Sequence, residues 1–338
     1  MKILITGGCG FVGSSLALKL KHKYPAYTIT ALDNLHRKGS EQNILFLSAA
    51  GINFIQGDVR FQEDLEELSY DVIIEASAEP SVMAGLKGDD RYLIDTNFNG
   101  LFNCIGSALK NNAKMIFLST SRIFPMSAIN SQDYIEEPSR YTLRYGTGFA
   151  ENFSKEGTRS LYGMSKYAGE LMIAEYIDMF GLKAVINRCG LIAGKGQFGR
   201  TDQGVITHWA ASYIYDKPLS IFGTGKQVRD VLNVSDLFRL VDMQIHDFTT
   251  FSGELFNVGG GIRNSLSIFE LDSLCKKYVG QKDIDFQPER DMDIKYYVTD
   301  NSKIQKLGWQ PEISAEDTVK EIIEWLNSNK EELRWIFA

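Results

Sequence analysis

Two residues that could work together as an acid–base pair, Tyr162 and Lys166, stand four positions apart. They fall within residues 161–180, whose pattern predicts a helix, and side chains four positions apart share one face of a helix. A nearby ammonium favours the phenolate form of tyrosine, which turns a weak base into a usable one near neutral pH. Thr120 closes a predicted strand, and its hydroxyl could pass a proton between a substrate oxygen and Tyr162. These three residues form the predicted catalytic group, although a Tyr-x-x-x-Lys spacing alone also occurs by chance.

A glycine-rich loop follows the first apolar segment, residues 3–6, and opens a predicted helix. Its glycines recur at every third residue. Glycine lets the backbone turn sharply and approach a pyrophosphate, while a helix N-terminus offers N–H groups and a positive dipole end to an anion. The loop therefore predicts a dinucleotide site, and the alternative is a turn that only packs helix on strand. The predicted contacts are Gly7, Gly10, Phe11, Val12 and Gly13.

An acidic residue, Asp33, ends the second predicted strand. A carboxylate at that place accepts hydrogen bonds from ribose hydroxyls and repels a 2′-phosphate, which favours NAD over NADP. Arg37 and Lys38 lie close by in the sequence and leave open the binding of a phosphate. Asp58 follows the third strand and is predicted to meet the adenine amino group, with a helix N-cap as the alternative. The predicted cofactor contacts in these loops are Asp33, Asn34, Arg37, Asp58 and Val59, and Tyr162 and Lys166 are expected to join them.

Short apolar segments alternate with helical patterns through the first half of the chain. The predicted strands are residues 3–6, 27–32, 53–56, 71–75, 114–119 and 183–188. The predicted helices are residues 11–24, 91–112 and 161–180. This alternation indicates βαβ units, and continuous apolar strands indicate a parallel sheet covered on both faces. The predicted fold is therefore α/β, a doubly wound Rossmann sheet with a smaller mixed α/β lobe.

The domain boundary is placed where this rhythm changes, after Arg188. Glycines then become frequent and short strands mix with helices. Residues 1–188 are the predicted NAD-binding domain, and residues 231–260 are expected to return to it. Residues 189–330 are the predicted substrate-binding lobe.

The bulk composition excludes several classes of protein. A formal net charge of -7 over 338 residues argues against general binding of nucleic acid, which needs a basic surface. The 4 cysteines form no C-x-x-C pair and the 4 histidines lack ligand spacing, so no metal site is expected. No apolar segment approaches the roughly 20 residues that span a bilayer. We expect a cytoplasmic protein without a membrane partner.

At these residues the chain resembles, nearly end to end, the extended short-chain dehydrogenase/reductase family of NAD-dependent sugar-nucleotide epimerases and dehydratases. Within that family it looks most like the 2-epimerases that act on CDP-paratose and CDP-tyvelose. The stretches that carry this likeness are residues 33–39, 118–122, 196–198, 202–204 and 225–232.

The resemblance implies further roles. Ala76, Ser77 and Ala78 would pass along the cofactor, and Asn97 would order the loop around the site, with a helix-surface asparagine as the alternative. The implied substrate-binding residues are Thr120, Ser121, Arg122, Gln197, Gln203, Arg229 and Arg290. Arg229 and Arg290 would hold the diphosphate, which suits the guanidinium fork. As isolated arginines, they would more often be surface ion-pair partners.

The implied reaction is epimerisation of a nucleotide sugar through a transient keto-sugar, with NAD tightly bound and regenerated in each cycle. A 2-epimerase of a CDP-hexose or CDP-deoxyhexose is the first hypothesis, and a UDP-sugar 4-epimerase using the same residues is the main alternative. Sugar 4,6-dehydratases have an Asp-Glu pair after the catalytic threonine, and Ser121-Arg122 stands there in this chain. A non-catalytic NAD sensor on the same fold is a further alternative.

Two departures from the family leave the shape of the pocket and the substrate open. Pro125-Met126 stands where many relatives have Tyr-Gly, and Glu75 stands where they often have histidine. The resemblance also implies a homodimer or homotetramer formed through the helices of residues 91–112 and 161–180, with solvated outer faces as the alternative. Synthesis of a surface polysaccharide such as O antigen is the implied setting.

Overall fold

Strands and helices alternate through most of the chain in a computed structural model that describes residues 1–85, 88, 90–200, 203–290 and 293–337. The strands are β1 (Lys2–Thr6), β2 (Thr28–Asp33), β3 (Asn53–Gln56), β4 (Val72–Glu75), β5 (Lys114–Thr120), β6 (Tyr134–Glu136), β7 (Tyr141–Leu143), β8 (Lys183–Cys189), β9 (Leu191–Ala193), β10 (Ser220–Phe222), β11 (Val228–Asn233), β12 (Leu255–Val258), β13 (Ser265–Ser267), β14 (Asp285–Gln287) and β15 (Tyr296–Tyr297). The α-helices are α1 (Phe11–Lys23), α2 (Ser40–Ala49), α3 (Glu63–Glu66), α4 (Asp90–Ile94), α5 (Gly100–Lys110), α6 (Met126–Asn130), α7 (Leu161–Phe180), α8 (Val205–Ile214), α9 (Val234–His246), α10 (Phe248–Phe251), α11 (Ile268–Tyr278), α12 (Ser302–Gln305), α13 (Ala315–Ser328) and α14 (Arg334–Phe337). A π-helical turn spans Asp95–Asn99, and 3₁₀ turns span Ser121–Ile123 and Ile262–Asn264.

A seven-stranded sheet has the order β12-β8-β5-β4-β1-β2-β3. The chain steps outward from β1 to β3 on one side and then crosses to β4 on the other, and the pairings of β1, β2, β3, β4 and β5 are parallel. The direction of winding therefore reverses between β1 and β4. In open α/β sheets, ligands bind beyond the carboxyl ends of the strands at such a reversal point. The predicted doubly wound α/β fold is confirmed.

The first compact unit comprises Met1–Ile123, Ser160–Arg188 and Phe238–Phe256. Its core joins apolar side chains of the strands to those of α5 and α7, which include Leu4, Ile73, Phe117, Ile105 and Ile173. Gly169 lets α7 approach α5 closely, because a Cβ at this position would lie 2.6 Å from Leu101 Cδ2. The buried core thus fixes α7, the helix of the predicted acid–base pair, against the sheet.

The second compact unit comprises Phe124–Arg159, Cys189–Leu237 and the described residues from Asn257 onward. In its small sheet β11 pairs with β9, β13 and β15. Its core gathers apolar side chains of α8, α11 and α13, which include Trp209, Ile214, Leu271, Val319 and Ile322. The end of the chain docks on this core, where Phe337 stacks on Tyr215 with ring centroids 5.8 Å apart.

These units differ from the predicted domains at three places, one of which is that the second unit continues past residue 330. Residues 124–159 belong to the second unit rather than to a domain of residues 1–188, because Phe149 exchanges backbone hydrogen bonds with Val298 and Asp300 and stacks on Tyr297. The segment that returns to the first unit is Phe238–Phe256 rather than residues 231–260, because β11 pairs within the second unit.

Of the helices that the structure describes, none combines the length and apolarity needed to cross a membrane.

Candidate active site

The glycine loop before α1 has a tightly packed backbone. Gly7 has a φ of +63°, and a Cβ on it would lie 2.8 Å from the carbonyl oxygen of Ala76. A Cβ on Gly13 would lie 2.2 Å from the carbonyl oxygen of Gly7. Glycine is therefore required at both positions. The N–H of Gly10 donates to the Gly7 carbonyl at 3.0 Å, and this bond closes the turn before Phe11 begins α1.

The carboxylate of Asp33 is held beside this loop by two backbone donors. The N–H of Cys9 donates to Oδ2 at 2.9 Å, and the N–H of Leu35 donates to Oδ1 at 2.8 Å. Leu35 has a φ of +58°, a left-handed conformation at the end of β2. Burial raises the pKa of Asp33, and backbone hydrogen bonds from Leu35, Cys9 and Gly10 oppose this shift. Each carboxylate oxygen keeps a lone pair with which it can accept a hydrogen bond from a hydroxyl group.

The thiol of Cys9 lies inside the loop and is fully buried. Burial, and then the nearby Asp33 carboxylate, raise its pKa to about 12. The thiol is therefore neutral at physiological pH and is not a nucleophile there. The other cysteines, Cys104, Cys189 and Cys275, are also buried and form no disulfides.

Asn34 and Asp58 join the ends of β2 and β3. The Asn34 amide donates to Oδ2 of Asp58 at 2.9 Å, and Arg60 holds the same oxygen at 2.6 Å. Burial acts to raise the pKa of Asp58, but the hydrogen bonds from Arg60 and Asn34 outweigh it and lower the pKa overall. The N-cap interpretation of Asp58 is wrong, because Gln62 precedes α3. Val59 is buried beside Asp58, whereas Arg37, in the loop after β2, is half-buried.

Asn97 ties the loop after β4 to α7. Its Oδ1 accepts the N–H of Glu79 at 2.8 Å, and its Nδ2 donates to the Glu79 carbonyl and to Ser165 Oγ, each at 3.1 Å. Asn97 lies in the π-helical turn, which divides the predicted helix of residues 91–112 into α4 and α5. The side chain is only 1% exposed, so the helix-surface interpretation is wrong. A π turn of this kind often marks a functional site.

The residues Ala76–Ala78 follow β4 and lie against the glycine loop. A Cβ on Gly7 would come within 2.9 Å of Ser77 Cα as well as meeting Ala76. Ser77 Oγ is 3.2 Å from Thr6 Oγ1 at the end of β1. The predicted cofactor contacts of β1 and β4 are therefore brought together at the point where the winding of the sheet reverses.

Thr120 is the last residue of β5 and is 8% exposed. Its Oγ1 accepts the N–H of Arg122 at 3.2 Å. Because the oxygen is an acceptor in that bond, the hydroxyl proton can be donated to a substrate oxygen. Ser121 and Arg122 are half-buried in the 3₁₀ turn that follows, and α7 packs against both this turn and β5.

Tyr162 lies in the first turn of α7, and Lys166 follows it by one turn. Ser160 caps the helix, with its Oγ accepting the N–H of Gly163 at 3.1 Å. Tyr162 is half-buried, whereas Lys166 is only 3% exposed. The ammonium of Lys166 lies 4.5 Å from the centre of the Phe117 ring. The helix that carries Tyr162 and Lys166 therefore packs against β5, the strand that ends in Thr120.

A buried carboxylate faces Lys166, the lysine of the predicted acid–base pair. Nζ of Lys166 is 3.4 Å from Oε2 of Glu75, the last residue of β4, and Glu75 is 1% exposed. Ser77 Oγ hydrogen-bonds to the other carboxylate oxygen. No local pattern in the sequence indicates this contact, and Glu75 stood out there only as a departure from the family. The available signal was a charged residue at the end of an apolar strand.

A second buried ion pair lies further along α7. Arg188 Nη2 is 2.7 Å from Oε2 of Glu170, and its Nε contacts both carboxylate oxygens at 3.0 Å. Ser119, the residue before Thr120, donates to Oε1 of Glu170 at 2.5 Å. Sequence reasoning missed this network as well. It fixes the strand of Thr120 to the helix of Tyr162.

The predicted diphosphate arginines lie in the second unit and already have partners there. Arg229 on β11 is 2.8 Å from Asp293 and also donates to the carbonyl oxygen of Val228. The guanidinium of Arg290 lies 3.7 Å from the centre of the Phe222 ring. Arg229 therefore makes an ion pair, as the alternative to a diphosphate ligand predicts. Arg290 is exposed and lies over the ring of Phe222.

The remaining predicted substrate residues differ in their surroundings. Gln197 is buried, with its amide donating to the Ile192 carbonyl and its carbonyl accepting from Thr207, so both polar groups hold the loop itself. Gln203 is half-buried and exchanges backbone hydrogen bonds with Arg200. The neighbouring Asp202 of the resemblance lies outside the described residues.

Residues 3–259 match the NAD dependent epimerase/dehydratase family. The chain belongs to this family. The match spans the glycine loop, Asp33, Thr120 and the Tyr162–Lys166 pair. The chain is accordingly an NAD-dependent enzyme of nucleotide-sugar metabolism, which confirms the predicted family, enzyme class and cofactor.

Relatives within the family have different activities. The chain is 31% identical to the CDP-paratose 2-epimerase of Salmonella typhi, over 97% of this chain and 100% of that protein. It is 26% identical to a putative UDP-glucose 4-epimerase of Methanocaldococcus jannaschii, over 97% and 99% of the two chains. The crystal structure of DesIV, a dTDP-glucose 4,6-dehydratase of Streptomyces venezuelae with NAD and TYD bound, superposes with a TM-score of 0.85 at 24% identity and covers 99% of this chain and all of that one. That structural likeness concerns the fold.

Proposed function

We propose that the protein epimerises a CDP-linked hexose or deoxyhexose at C2 through a transient keto-sugar. The observation that carries this proposal is the end-to-end similarity to the CDP-paratose 2-epimerase of Salmonella typhi. Ser121 and Arg122 add to it, because neither supplies the acid and base with which a 4,6-dehydratase eliminates water.

The described residues around the glycine loop fit the NAD that the family requires. Gly10 stands at the N-cap of α1 without a side-chain hydrogen bond, which suits a diphosphate at the first-turn N–H groups of Phe11 and Val12. The rigid Asp33 carboxylate suits ribose hydroxyls, and Asn34, Asp58 and Val59 lie beside it. When bound, NAD accepts a hydride from the sugar carbon and returns it. We propose that it stays bound between turnovers, since each cycle regenerates it.

The protein's own residues move the proton. Tyr162 takes the proton of the sugar hydroxyl, and Thr120 donates a hydrogen bond to the same sugar oxygen. The Lys166 ammonium favours the phenolate of Tyr162. The carbonyl carbon of the keto-sugar is planar. After the keto-sugar has turned over, Tyr162 returns the proton to the carbonyl oxygen as hydride is returned to the opposite face of that carbon, which is thereby inverted.

For the substrate, we propose that Arg229 and Arg290 bind the diphosphate, with Ser121, Arg122 and Gln203 near the sugar. Arg229 would then share its guanidinium between Asp293 and a phosphate, which its planar fork of donors permits. We leave Gln197 out of the proposed set, because both of its polar groups are occupied within the loop.

A UDP-sugar 4-epimerase is the second candidate, supported by the 26% identity to the putative enzyme of Methanocaldococcus jannaschii. The same acid–base group serves both reactions. The two differ in which sugar carbon is presented for oxidation.

Proton NMR separates these reactions directly. Purified protein is incubated, without added NAD, with CDP-glucose, CDP-paratose, CDP-tyvelose, UDP-glucose, UDP-galactose or dTDP-glucose. Inversion at C2 changes the H1–H2 coupling, inversion at C4 changes the H3–H4 coupling, and 4,6-dehydration creates a methyl signal at C6. A change in H1–H2 coupling with a CDP-sugar, abolished in Tyr162→Phe, is the expected result. A C4 change with a UDP-sugar would replace the proposal by the second candidate.

We also propose that a second copy of the chain covers the exposed apolar side chains of α5 and α7. Phe102, Leu171, Met179 and Phe180 are all more than half exposed, a concentration that suits an interface. Sedimentation should show a dimer or larger oligomer that Leu171→Asp dissociates. Leu45→Asp on α2, where the leucine is 70% exposed against 53% for Leu171, is the matched control and should leave the assembly intact.

A further inference from the structure

We propose that Glu75 is a positioning residue that holds the Lys166 ammonium in its charged form and so sets the pH range in which Tyr162 exchanges protons. The inference rests on the assignment of Tyr162 and Lys166 as the acid–base pair of the proposed function. It adds a charge on β4 that acts on the reaction through the lysine.

The contact itself is buried. Nζ of Lys166 lies 3.4 Å from Oε2 of Glu75, and the two side chains are 3% and 2% exposed. A lysine removed from water without a counter-charge favours its neutral form, and a neutral amine does not stabilise a phenolate. The carboxylate therefore preserves the charge that the mechanism needs.

The carboxylate is in turn held in place. Ser77 Oγ hydrogen-bonds to its second oxygen and lies 3.2 Å from Thr6 Oγ1, so Glu75 is linked to the ends of both β4 and β1. Its backbone is fixed in the sheet by pairing with Thr6 and Phe117. Because both the side chain and the backbone of Glu75 are held in place, its carboxylate can hold the Lys166 ammonium in one position.

The other ionisable groups near the pair are few among the described residues. Cys104 on α5 feels both charges, and burial raises its pKa well above the ordinary value, so its thiol is neutral. β5 presents the uncharged Ser119 and Thr120 at this end. On α7 itself the next buried charge is Glu170, one turn after Lys166, and it is paired with Arg188. The charged groups on the elements packed against α7 are Asp90 and Arg91 in α4, Asp95 in the π turn, Lys110 in α5, Lys114 in β5 and Arg122 in the 3₁₀ turn. Of these, Arg91 and Asp95 form an exposed ion pair with each other. Glu75 is therefore the buried counter-charge of Lys166.

The first test is the pH profile of kcat for the holoenzyme with the nucleotide sugar that it converts. Glu75→Gln keeps the shape of the side chain and removes its charge. Without that anion, both the ammonium and the phenol lose a proton more readily, so both limbs of the profile should move to lower pH by about 1 unit. Glu75→Asp keeps the charge and should restore both limbs.

The matched control is Asp71→Asn. Asp71 directly precedes β4, at the opposite end of the strand from Glu75, and is exposed. Asp71→Asn changes the net charge by the same amount as Glu75→Gln. It should leave both limbs of the pH profile in place, because solvent screens an exposed charge at the far end of the strand. A Glu75→Gln enzyme whose limbs match those of the wild type, whatever its kcat, would overturn the proposal and leave Glu75 a structural residue.

A second readout is independent of any substrate. In protein labelled with ¹³C at lysine Cε, the Lys166 signal is assigned by its loss in Lys166→Met, and its chemical shift is followed against pH. The midpoint should fall by about 1 unit in Glu75→Gln. An unchanged midpoint refutes the role of Glu75. If wild-type protein converts none of the sugars but the midpoint moves, the proposed function fails and the role of Glu75 stands.

Folding provides the readout if Glu75→Gln does not yield soluble protein. Each single variant of the pair leaves one buried charge without a partner, whereas Glu75→Gln with Lys166→Met leaves none. The double variant should then be more soluble and melt higher than Glu75→Gln alone. Destabilisation that is additive in the double variant would contradict the coupling of the two residues.

Discussion

Ser119 donates a 2.5 Å hydrogen bond to Oε1 of Glu170, and this contact joins the strand that ends in Thr120 to the helix of Tyr162 and Lys166. Glu170 is also held by Arg188 on β8, and both side chains are buried. The spacing between Thr120 and the proposed acid–base pair therefore depends on a charge network outside the proposed reacting groups. This network can be tested apart from the chemistry.

Replacing Arg188 by Met should lower the free energy of unfolding by about 3–5 kcal/mol, because it leaves the Glu170 carboxylate buried without its partner. Urea denaturation followed by the fluorescence of the chain measures the loss. Combining Arg188→Met with Glu170→Leu removes both charges and should recover most of it. If the double variant is no more stable than the single one, the pair is not the source of the effect.

Replacing Tyr162 by Phe should lower kcat by about 10²–10⁴-fold, since it removes the group that exchanges the substrate proton. NAD should still co-purify, measured by its absorbance after release from denatured protein. Tyr167→Phe, five residues along the same helix, is the control and should keep near-normal turnover. Loss of NAD in the Tyr162 variant would show a defect in cofactor binding instead.

Local patterns in the sequence predicted the catalytic pair and the glycine loop, because the residues involved are neighbours along the chain. Helical periodicity places Tyr162 and Lys166 on one face, and the spacing of Gly7 and Gly13 follows from one tight turn. Glu75 is 91 residues from Lys166, and no local pattern joins them. Only the order of strands in the sheet brings that carboxylate to α7.

Local sequence patterns also could not predict how the chain divides into its two compact units. The place of residues 124–159 in the second unit depends on backbone bonds from Phe149 to Val298 and Asp300, which no local pattern predicts. The π turn around Asn97 was hidden for the same reason, since residues 91–112 have a continuous helical pattern. Contacts between distant segments decided both features.

Replacing Asp33 by Asn should weaken NAD binding by about tenfold, because the carboxylate that we propose as the acceptor for the ribose hydroxyls loses its charge. Discrimination against NADP should fall as well, since repulsion of the 2′-phosphate disappears and Arg37 and Lys38 are near in the sequence. Calorimetric titration of NAD-stripped protein measures both affinities. Asp71→Asn should leave them unchanged, and an unchanged NAD affinity in Asp33→Asn would remove Asp33 from the cofactor site.

Replacing Arg60 by Met should destabilise the protein at neutral pH and have little effect in acid. The hydrogen bonds of Arg60 and Asn34 hold the pKa of Asp58 below its ordinary value of 3.8, despite burial. A lowered carboxyl pKa contributes stability above pH 3.8, and that contribution is lost as the pH falls through the lowered value. Urea midpoints of both proteins between pH 7 and pH 3 should therefore converge. A difference that is constant with pH would assign the effect to the packing of Arg60 on Tyr92.

The first unit uses chain from Met1 to Phe256, with parts of the second unit threaded between its three segments. A ribosome must therefore translate about three-quarters of the protein before the edge strand β12 can join the central sheet. Until then β8 has an open edge, which is a site for pairing with other nascent chains. Fragments that stop before residue 256, including products of premature termination, should expose this edge and aggregate rather than yield a smaller NAD-binding protein.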